Sequence, residues 1–389
     1  MNVTVHRGAR QIGGCVTEIA SDECRVFVDI GENLPGTGCP LPPIEGLTAG
    51  DGSKSALFLT HYHGDHIGRL DKVLPDIPVY IGETAKSILL NLAERIYRDR
   101  LEMYERLMTF KPFKRIYAGD ISALPVPCDH SALDAFMFLI EAKGLRILHT
   151  GDFRLHGSKG RLTLELSLPM LGDIDYMVCE GTVLSRDGQP PMSEHDLLVK
   201  ANKMMAEKPY VFVLCSSTNI ERIAAFYHAN PKGRMFICDS YQKKQLEAVG
   251  ERHNFNRVYD YAPNLDSHMK DKGFCMLVRQ GEFFRRVMEK FMGENAENCL
   301  VIYSMWTGYL DREAGNQGLI DFLKPYRYRV LHTSGHASAE DIKRLYELVR
   351  PKRGLIPIHT DAPQRFAEIV PESKLVLLND GEVLNLNDK

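Results

Sequence analysis

The feature that most constrains this chain is a cluster of metal-ligand side chains placed directly after an apolar run. Residues 57–60 (LFLT) have the character of a buried strand, and the next six residues form an H-x-H-x-D-H pattern with His61, His63, Asp65 and His66. In an extended segment His61 and His63 point to the same side, and a turn at Gly64 aims the next two ligands elsewhere. Neutral imidazoles and carboxylates suit zinc or a similar divalent ion. One short loop can therefore serve two ions about 3.5–4 Å apart.

Three further candidate ligands also follow apolar runs. His130 lies in PVPCDHS, Asp152 in LRILHTGDF and His359 in GLIPIHT. Because a sheet delivers its strand ends to a common edge, we expect these side chains to join the first cluster. The prediction is one metal site with His61, His63 and His130, a second with Asp65, His66 and His359, and Asp152 bridging the two. Two zinc ions per chain are expected, with manganese or iron as alternatives, since such sites accept all three metals.

The composition narrows the class of protein. A length of 389 residues with 44% hydrophobic residues predicts two domains, or three. The formal charge of -3 excludes a surface coated with positive charge, but it leaves room for a local basic groove. Nine dispersed cysteines without a CxxC pair favour reduced thiols and a cytoplasmic location. We find no signal-peptide pattern and no apolar stretch that predicts a membrane span, so no membrane partner is expected.

The pattern of strands and helices predicts an α/β protein with an insertion. Strand-like runs fill the first part of the chain, interrupted by helical spacing over residues 83–108. A Pro/Gly-rich break, RDGQPP, precedes alternating strand and helix patterns that are typical of a parallel sheet. We therefore expect one domain built from residues 1–182 and 326–389, interrupted by an inserted domain over residues 183–325.

In their order along the chain, these motifs resemble those of the metallo-β-lactamase superfamily. The matching elements are Asp29, the H-x-H-x-D-H run, His130 and the Asp152 of TGDF. The chain further resembles the β-CASP nucleases, the group that contains ribonuclease J and the pre-mRNA 3′-end cleavage endonuclease. Glu180 in YMVCEGT matches motif A, His336 in HTSGHASAEDI matches motif B, and His359 matches motif C. The resemblance implies a metallo-β-lactamase αββα sandwich with an inserted α/β β-CASP domain.

The resemblance also implies an activity: a zinc-dependent ribonuclease that uses a water activated by two metal ions. Histidine at motif C is the pattern of the RNA-processing members, so RNA is favoured over DNA. Asp65 is expected to bind metal and orient the water, His336 to act as general acid, and Glu180 to hold the imidazole of His336. A DNA nuclease, a small-molecule ester, thioester or lactam hydrolase, and an inactive nucleic-acid-binding subunit are the alternatives.

Two departures from the family pattern stand out. The acidic motif reads EGT rather than an acid followed by Ser-Thr, and about thirty residues follow His359, with no C-terminal oligomerisation domain seen. The oligomeric state therefore stays open.

Residues around the predicted ligands supply further candidates. Asp29, His149 and His332 are expected to support the ligands from behind. Ser338 and Asp341 approximate a capping box, which predicts a helix start able to hold a phosphate together with Ser334 and Gly335. A second phosphate contact is predicted at Ser217 and Arg222, where the alternative is an ordinary helix cap. Trp306, the single tryptophan, is either a base-stacking or a packing residue.

Overall fold

The computed structural model describes residues 1–186, 190–250, 255–311 and 315–387. The chain forms two compact units, one from Met1–Pro190 with Gly335–Lys389, and one from Pro191–Ser334. The second unit begins eight residues later and ends nine residues later than the predicted inserted domain of residues 183–325. The second boundary is later because residues 328–330 form a strand of the inserted unit's own sheet.

Strands and helices are interspersed along the described ranges. In chain order the strands are β1 (Asn2–Arg7), β2 (Val16–Ala20), β3 (Arg25–Val28), β4 (Ser55–Phe58), β5 (Val79–Gly82), β6 (Met108–Phe110), β7 (Ile116–Ala118), β8 (Ile121–Pro127), β9 (Phe136–Ala142), β10 (Leu145–His149), β11 (Tyr176–Glu180), β12 (Tyr210–Leu214), β13 (Met235–Cys238), β14 (Val258–Asp260), β15 (Phe274–Val278), β16 (Cys299–Tyr303), β17 (Tyr328–Val330), β18 (Gly354–Ile358) and β19 (Val383–Asn385). The helices are α1 (Gly64–Ile67), α2 (Glu83–Arg95), α3 (Leu101–Glu105), α4 (Gly160–Leu162), α5 (Glu194–Ala206), α6 (Ile220–Ala229), α7 (Ser240–Ala248), α8 (Asp266–Lys272), α9 (Glu282–Asn295), α10 (Gln317–Leu323) and α11 (Ala339–Val349). None of these helices combines the length and the apolar character needed to cross a lipid bilayer.

The first unit is a two-sheet sandwich. Its sheets have the strand orders β19-β1-β2-β3-β4-β5-β6 and β18-β11-β10-β9-β8-β7. A buried apolar cluster joins them, with Val26 and Phe58 from one sheet packed in the same cluster as Phe138 and Val178 from the other. The second sheet also has an apolar outer face, which packs against α11. Two sheets packed face to face, with a helix on an outer face, form the layered arrangement of the predicted metallo-β-lactamase fold.

The strand directions bring the candidate ligands to one edge of the sandwich. In one sheet β3, β4 and β5 run parallel, and in the other β10, β11 and β18 do. β8 shares the direction of β10, because each is antiparallel to β9. The chain segments that carry the ligands therefore leave the carboxyl ends of β4, β8, β10, β11 and β18.

The second unit is built on a parallel sheet of order β14-β13-β15-β12-β16-β17. Every strand pair within it is parallel. Buried strands with near-continuous apolar sequence, such as YVFVL in β12, form its core together with side chains of α9 and α10. This is the inserted α/β architecture that the sequence predicts.

The predicted helix over residues 83–108 is wrong in its length. α2 ends at Arg95, a short α3 follows, and residues 108–110 form β6 beside β5. The side chains of residues 94–99 are all exposed. A helix stabilised by packing one face has no reason to continue where no residue is buried, even when charge pairs favour it.

Candidate metal centre

Three histidines form the first donor set. The ligand nitrogens of His61, His63 and His130 lie within 4.8 Å of one another. His63 Nδ1 is 3.1 Å from His130 Nε2, a spacing suited to two ligands of one ion. Burial lowers the pKa of His63 to about 4 and holds the pKa values of His61 and His130 well below their ordinary range. All three imidazoles are therefore neutral near pH 7, as metal ligation requires.

The second donor set mixes carboxylates and imidazoles. The ligand atoms of Asp65, His66, Asp152 and His359 lie within 4.8 Å of one another. His66 Nε2 is 3.1 Å from Asp152 Oδ2, and His359 Nε2 is 3.3 Å from Asp65 Oδ2. Burial raises the pKa of both carboxyl groups, but the neighbouring histidines outweigh it and hold both values below the ordinary range. Both aspartates are ionised at neutral pH.

Asp152 lies between the two donor sets. Its Oδ2 atom is 3.9 Å from His61 Nε2, 3.9 Å from His130 Nε2 and 3.1 Å from His66 Nε2. A carboxylate in this position can contribute to both sites. The sequence-based expectation of a bridging ligand stays a prediction, and this placement supports it.

The donor atoms have the properties of a metal site. Among the described residues, His61 Nε2 and Asp152 Oδ1 are buried without a hydrogen-bond partner. Leaving buried polar atoms unsatisfied costs roughly 1–3 kcal/mol each, so such atoms call for an explanation. Nitrogen and carboxylate donors around two adjacent positions fit two zinc ions, with ligand types that also suit manganese or iron.

Hydrogen bonds behind the ligands orient three of the histidines, His66, His130 and His359. His66 Nδ1 donates to Asp29 Oδ2 at 2.7 Å, and His130 Nδ1 donates to the carbonyl oxygen of Gly335 at 2.6 Å. His359 Nδ1 donates to Thr182 Oγ1 at 2.6 Å. Each bond leaves the Nε2 lone pair available for a metal, an arrangement that raises ligand basicity and limits ring rotation.

Two threonines connect these partners and were missed by the sequence reasoning. Thr60 donates through its backbone nitrogen and its hydroxyl to Asp29, at 2.8 Å each. Thr182 Oγ1 donates to Glu180 Oε2 at 2.7 Å while it accepts from His359. Only their positions in the sequence could have indicated these roles. Thr60 directly precedes His61, and Thr182 is the threonine of EGT.

The backbone of the site is unusual at two of these positions. Asp29 and His359 have positive φ angles of 62° and 51°. Left-handed backbone is uncommon for residues other than glycine and concentrates at functional sites. Asp29 directly follows β3 and His359 directly follows β18. The left-handed conformation at these strand ends turns both side chains toward the centre of the site.

Glu180 and His336 lie beside the donor sets. His336 Nδ1 is 3.3 Å from Glu180 Oε2 and 3.4 Å from Asp152 Oδ2. Burial lowers the pKa of His336, but the two carboxylates outweigh it and raise the value to about 9. Glu180 is itself oriented by the backbone nitrogen of Phe153, which donates to its Oε1 at 2.9 Å. The result is an imidazolium held by carboxylates.

The centre opens to solvent at a few side chains only. His336 is 22% exposed and Asp65 is 18% exposed, whereas Glu180 and most of the ligands are buried. His336, Asp65 and the half-buried His63 are therefore groups that a solvent-borne substrate can contact.

The remaining candidates are placed as follows. His149 is buried and lies 3.3 Å from Thr17 Oγ1, and its Nδ1 accepts a hydrogen bond from Gly151. His332 belongs to the second unit, where it contacts Arg222. Ser338 caps α11 in the predicted capping box with Asp341, which is confirmed.

The predicted phosphate contacts differ in their surroundings. Gly335 accepts from His130, and Ser334 ends the second unit. Arg222 is fully buried, and its Nη2 donates to Glu194 Oε1 at 2.8 Å. The guanidinium nitrogens of Arg222 already form hydrogen bonds to groups inside the second unit. The placement of Arg222 therefore does not support direct phosphate contact. The cap of α6 is Asn219, so contact at Ser217 stays a prediction.

Comparison with known proteins places this centre in a family. Residues 35–216 match the metallo-beta-lactamase superfamily, and residues 323–369 match the Zn-dependent metallo-hydrolase RNA specificity domain. The solved structure of a protein of unknown function from Enterococcus faecalis V583 has a TM-score of 0.77 at 24% identity, covering 98% of this chain and 99% of that one. The chain therefore contains a domain of the metallo-beta-lactamase superfamily over residues 35–216.

Its curated relatives are more specific. The chain is 26% identical to ribonuclease J of Sinorhizobium meliloti over 92% of its own length and 67% of that protein's. It is 25% identical to ribonuclease J of Mycobacterium tuberculosis over 99% of its length and 75% of that protein's. It is 23% identical to ribonuclease J of Helicobacter pylori, of whose length it covers 60%. Over 92–99% of its own length the chain is therefore a distant homologue of ribonuclease J, and it spans 60–75% of the length of these relatives.

Proposed function

We propose that this protein is a nuclease that hydrolyses phosphodiester bonds in RNA with a water activated by two zinc ions. The observation that carries the proposal is the placement of the His336–Glu180 pair beside the second donor set, whose Asp152 lies next to the three histidines of the first. The match of residues 323–369 to an RNA specificity domain favours RNA over DNA. When bound, two divalent ions lower the pKa of a water and neutralise charge on phosphate oxygens.

The residues around the ions have separable tasks. Asp65 is partly exposed and ionised, so it can accept a proton or orient a water at the mouth of the site. His336 is the candidate general acid, because it is protonated at neutral pH and reaches solvent. Its Nδ1 faces Glu180 and Asp152, which leaves Nε2 to donate a proton to the departing sugar oxygen.

The test compares RNA and DNA of one sequence. The purified chain is incubated with zinc and either end-labelled strand, and products are followed over time. We expect RNA to be cut faster, chelation to stop the reaction, and added zinc to restore it. Cleavage of DNA alone would reject the RNA assignment, and hydrolysis that survives complete metal removal would reject the metal-dependent mechanism. Parallel reactions with manganese or iron then identify the preferred metal.

A further inference from the structure

The backbone that follows His336 is held by two successive contacts. The Ala337 backbone nitrogen donates to Glu180 Oε1 at 3.4 Å. Ser338 is the cap of α11, and its hydroxyl accepts from the Asp341 backbone nitrogen at 3.1 Å. The place of the His336 side chain therefore depends on how α11 begins.

The carboxylate of Asp341 joins this cap to a second loop. Its Oδ2 atom accepts from the Ser338 backbone nitrogen at 3.1 Å and lies 2.9 Å from His156 Nδ1. Burial raises the pKa of Asp341, but the hydrogen bonds from His156 and Ser338 outweigh it and hold the pKa below its ordinary value. An ionised carboxylate only accepts hydrogen bonds, so His156 Nδ1 is the donor. The two side chains are 10% and 13% exposed, which shields the bond from water.

The loop that carries His156 is anchored independently of this bond. It follows β10, and it also carries the aspartate that is expected to bridge the two metal sites. The Arg154 backbone nitrogen donates to the Asp129 carbonyl oxygen at 2.8 Å, and the Lys159 backbone nitrogen donates to the Asp129 carboxylate. The backbone is thus bound to Asp129 on both sides of His156. The imidazole therefore extends from a fixed segment toward the start of α11.

The position of a general acid has direct consequences for the rate. Such a group works only within hydrogen-bond reach of the oxygen that it protonates. His336 Nδ1 lies between two carboxylates, 3.3 Å from Glu180 Oε2 and 3.4 Å from Asp152 Oδ2. A misplacement of about 1 Å can cost roughly 100-fold in rate, even when its cause lies away from the reacting atoms. A contact that fixes the start of α11 can therefore affect catalysis.

We propose that His156 is a positioning residue for the general acid: through Asp341 it fixes the start of α11 and thereby holds His336 beside the metal centre. This inference rests on the proposed function, because it assumes that His336 protonates a leaving group. Among the described residues, the donor sets able to hold a metal ion do not include His156. In this role His156 acts through His336 and contacts neither metal nor substrate.

Two substitutions of similar size separate the hydrogen bond from the space that the ring fills. His156→Asn keeps an N–H donor near the place of Nδ1, and His156→Leu removes it. We expect His156→Leu to lower kcat on RNA about 10- to 100-fold, with KM and metal content little changed. His156→Asn should retain most of the activity. Kinetics and elemental analysis are measured on the same preparations, and His156→Ala replaces the leucine variant if that protein does not fold.

Two further readouts distinguish positioning of the general acid from a general loss of structure. In the His336→Ala background, His156→Leu should cost little more, because the group that it positions is gone. The His156→Leu protein should also hydrolyse bis(p-nitrophenyl) phosphate as fast as the parent protein does, since p-nitrophenolate departs without needing a proton. A merely structural effect would lower all of these rates together.

The matched control is a second imidazole of the first unit that contacts a carboxylate. His6 Nε2 lies 2.7 Å from Glu18 Oε2, and the His6 side chain is 17% exposed. His6 belongs to β1 of the first sheet, whereas α11 packs on the second sheet. His6→Leu should therefore change the rates on RNA and on the p-nitrophenyl ester equally, or not at all.

The outcomes distinguish the positioning role from the nuclease proposal. If the parent protein cleaves RNA and His156→Leu does so equally well, the positioning role is wrong and the nuclease proposal stands. The same conclusion follows if His156→Leu lowers RNA and ester hydrolysis by one factor, or if its effect adds fully to that of His336→Ala. If the parent protein cleaves no RNA, both proposals are wrong. If the parent protein does not hydrolyse the ester, the double variant decides.

Discussion

Arg154 Nε donates to Asp129 Oδ1 at 2.7 Å, and both side chains are completely buried. The Arg154 backbone nitrogen also donates to the Asp129 carbonyl oxygen at 2.8 Å. Asp129 directly precedes His130, and Arg154 lies two residues after Asp152. The ion pair therefore ties together two loops that carry candidate metal ligands from different strands.

Removing one partner of this pair should be costly. Arg154→Met leaves a buried carboxylate without its cation, and we expect the free energy of unfolding to fall by roughly 3–5 kcal/mol. Urea denaturation of the metal-loaded protein measures the loss. Arg161→Ala, which breaks the exposed pair between Arg161 and Glu165, is the matched control and should cost about 0.5 kcal/mol or less. Equal losses in the two variants would contradict the role of the buried pair.

Loss of a proposed metal ligand and loss of the proposed general acid should have distinguishable effects. His61→Ala should lower the metal content per chain and abolish hydrolysis, because a donor of the first set is gone. His336→Ala should keep both metals and lower kcat by about 10²–10⁴-fold. Elemental analysis and kinetics on the same preparations test this. A His336→Ala protein that loses metal in proportion to its activity would make His336 a ligand instead.

The hydroxyl of Thr182 should matter more than its size. Thr182→Val removes the group that joins Glu180 to His359, so we expect a loss of about 10–100-fold in metal affinity or activity. Thr182→Ser keeps the hydroxyl and should behave much like the parent protein. Metal titration with a competing chelator reads out affinity. If both variants were equally impaired, packing of the methyl group rather than hydrogen bonding would be responsible.

Two glycines near the metal ligands should respond in opposite ways to alanine. A Cβ at Gly31 would lie 1.6 Å from the Asp65 carbonyl oxygen, so Gly31→Ala must displace the ligand loop or prevent folding. A Cβ at Gly64 meets nothing within 4 Å, and its φ is not positive. Gly64→Ala should therefore be tolerated, with a gain of about 0.4–1 kcal/mol from the less flexible unfolded chain. Thermal melting and metal content of the two variants provide the test, and similar behaviour would show that the close approach at Gly31 is absent.

Burial lowers the pKa of His149 to about 4. The unfolded chain protonates this residue near pH 6.5 while the folded protein does not, so stability is unaffected above pH 6.5 and falls as the pH drops toward 4. One such group contributes up to about 1.4 kcal/mol per pH unit in that window. The measurement uses protein whose metal has been removed with a chelator. There, His149→Gln should make the free energy of unfolding depend less steeply on pH between pH 6.5 and 4. An unchanged slope would mean that His149 is accessible to protons in the folded state.

Much of the metal centre is visible in contiguous sequence. The H-x-H-x-D-H run and the histidines and aspartate after apolar strands carry their chemistry in residue type, and alternation along a strand predicts which side chains share a side. The capping box at Ser338 is equally local. Such features depend on a few neighbouring residues, so the chain order alone reveals them.

Other features depend on residues that are far apart in the chain. The helix after Gly82 ends where the side chains find no surface to pack against, although charge spacing favoured its continuation. Arginine is a residue type that commonly contacts phosphate, but Arg222 donates its hydrogen bonds to Glu194 and Ser304 inside the second unit.

The sequence by itself determined the types of the candidate ligands, the alternation of strands and helices, and the existence of an insertion, because these follow from local chemistry and periodicity. Only the tertiary structure decided which hydroxyls and carboxylates support the ligands, how Arg154 meets Asp129, and where the units divide. Those contacts join segments up to about three hundred residues apart, as between Asp65 and His359, which follow strands of different sheets. The packing of the two sheets against each other brings such segments together.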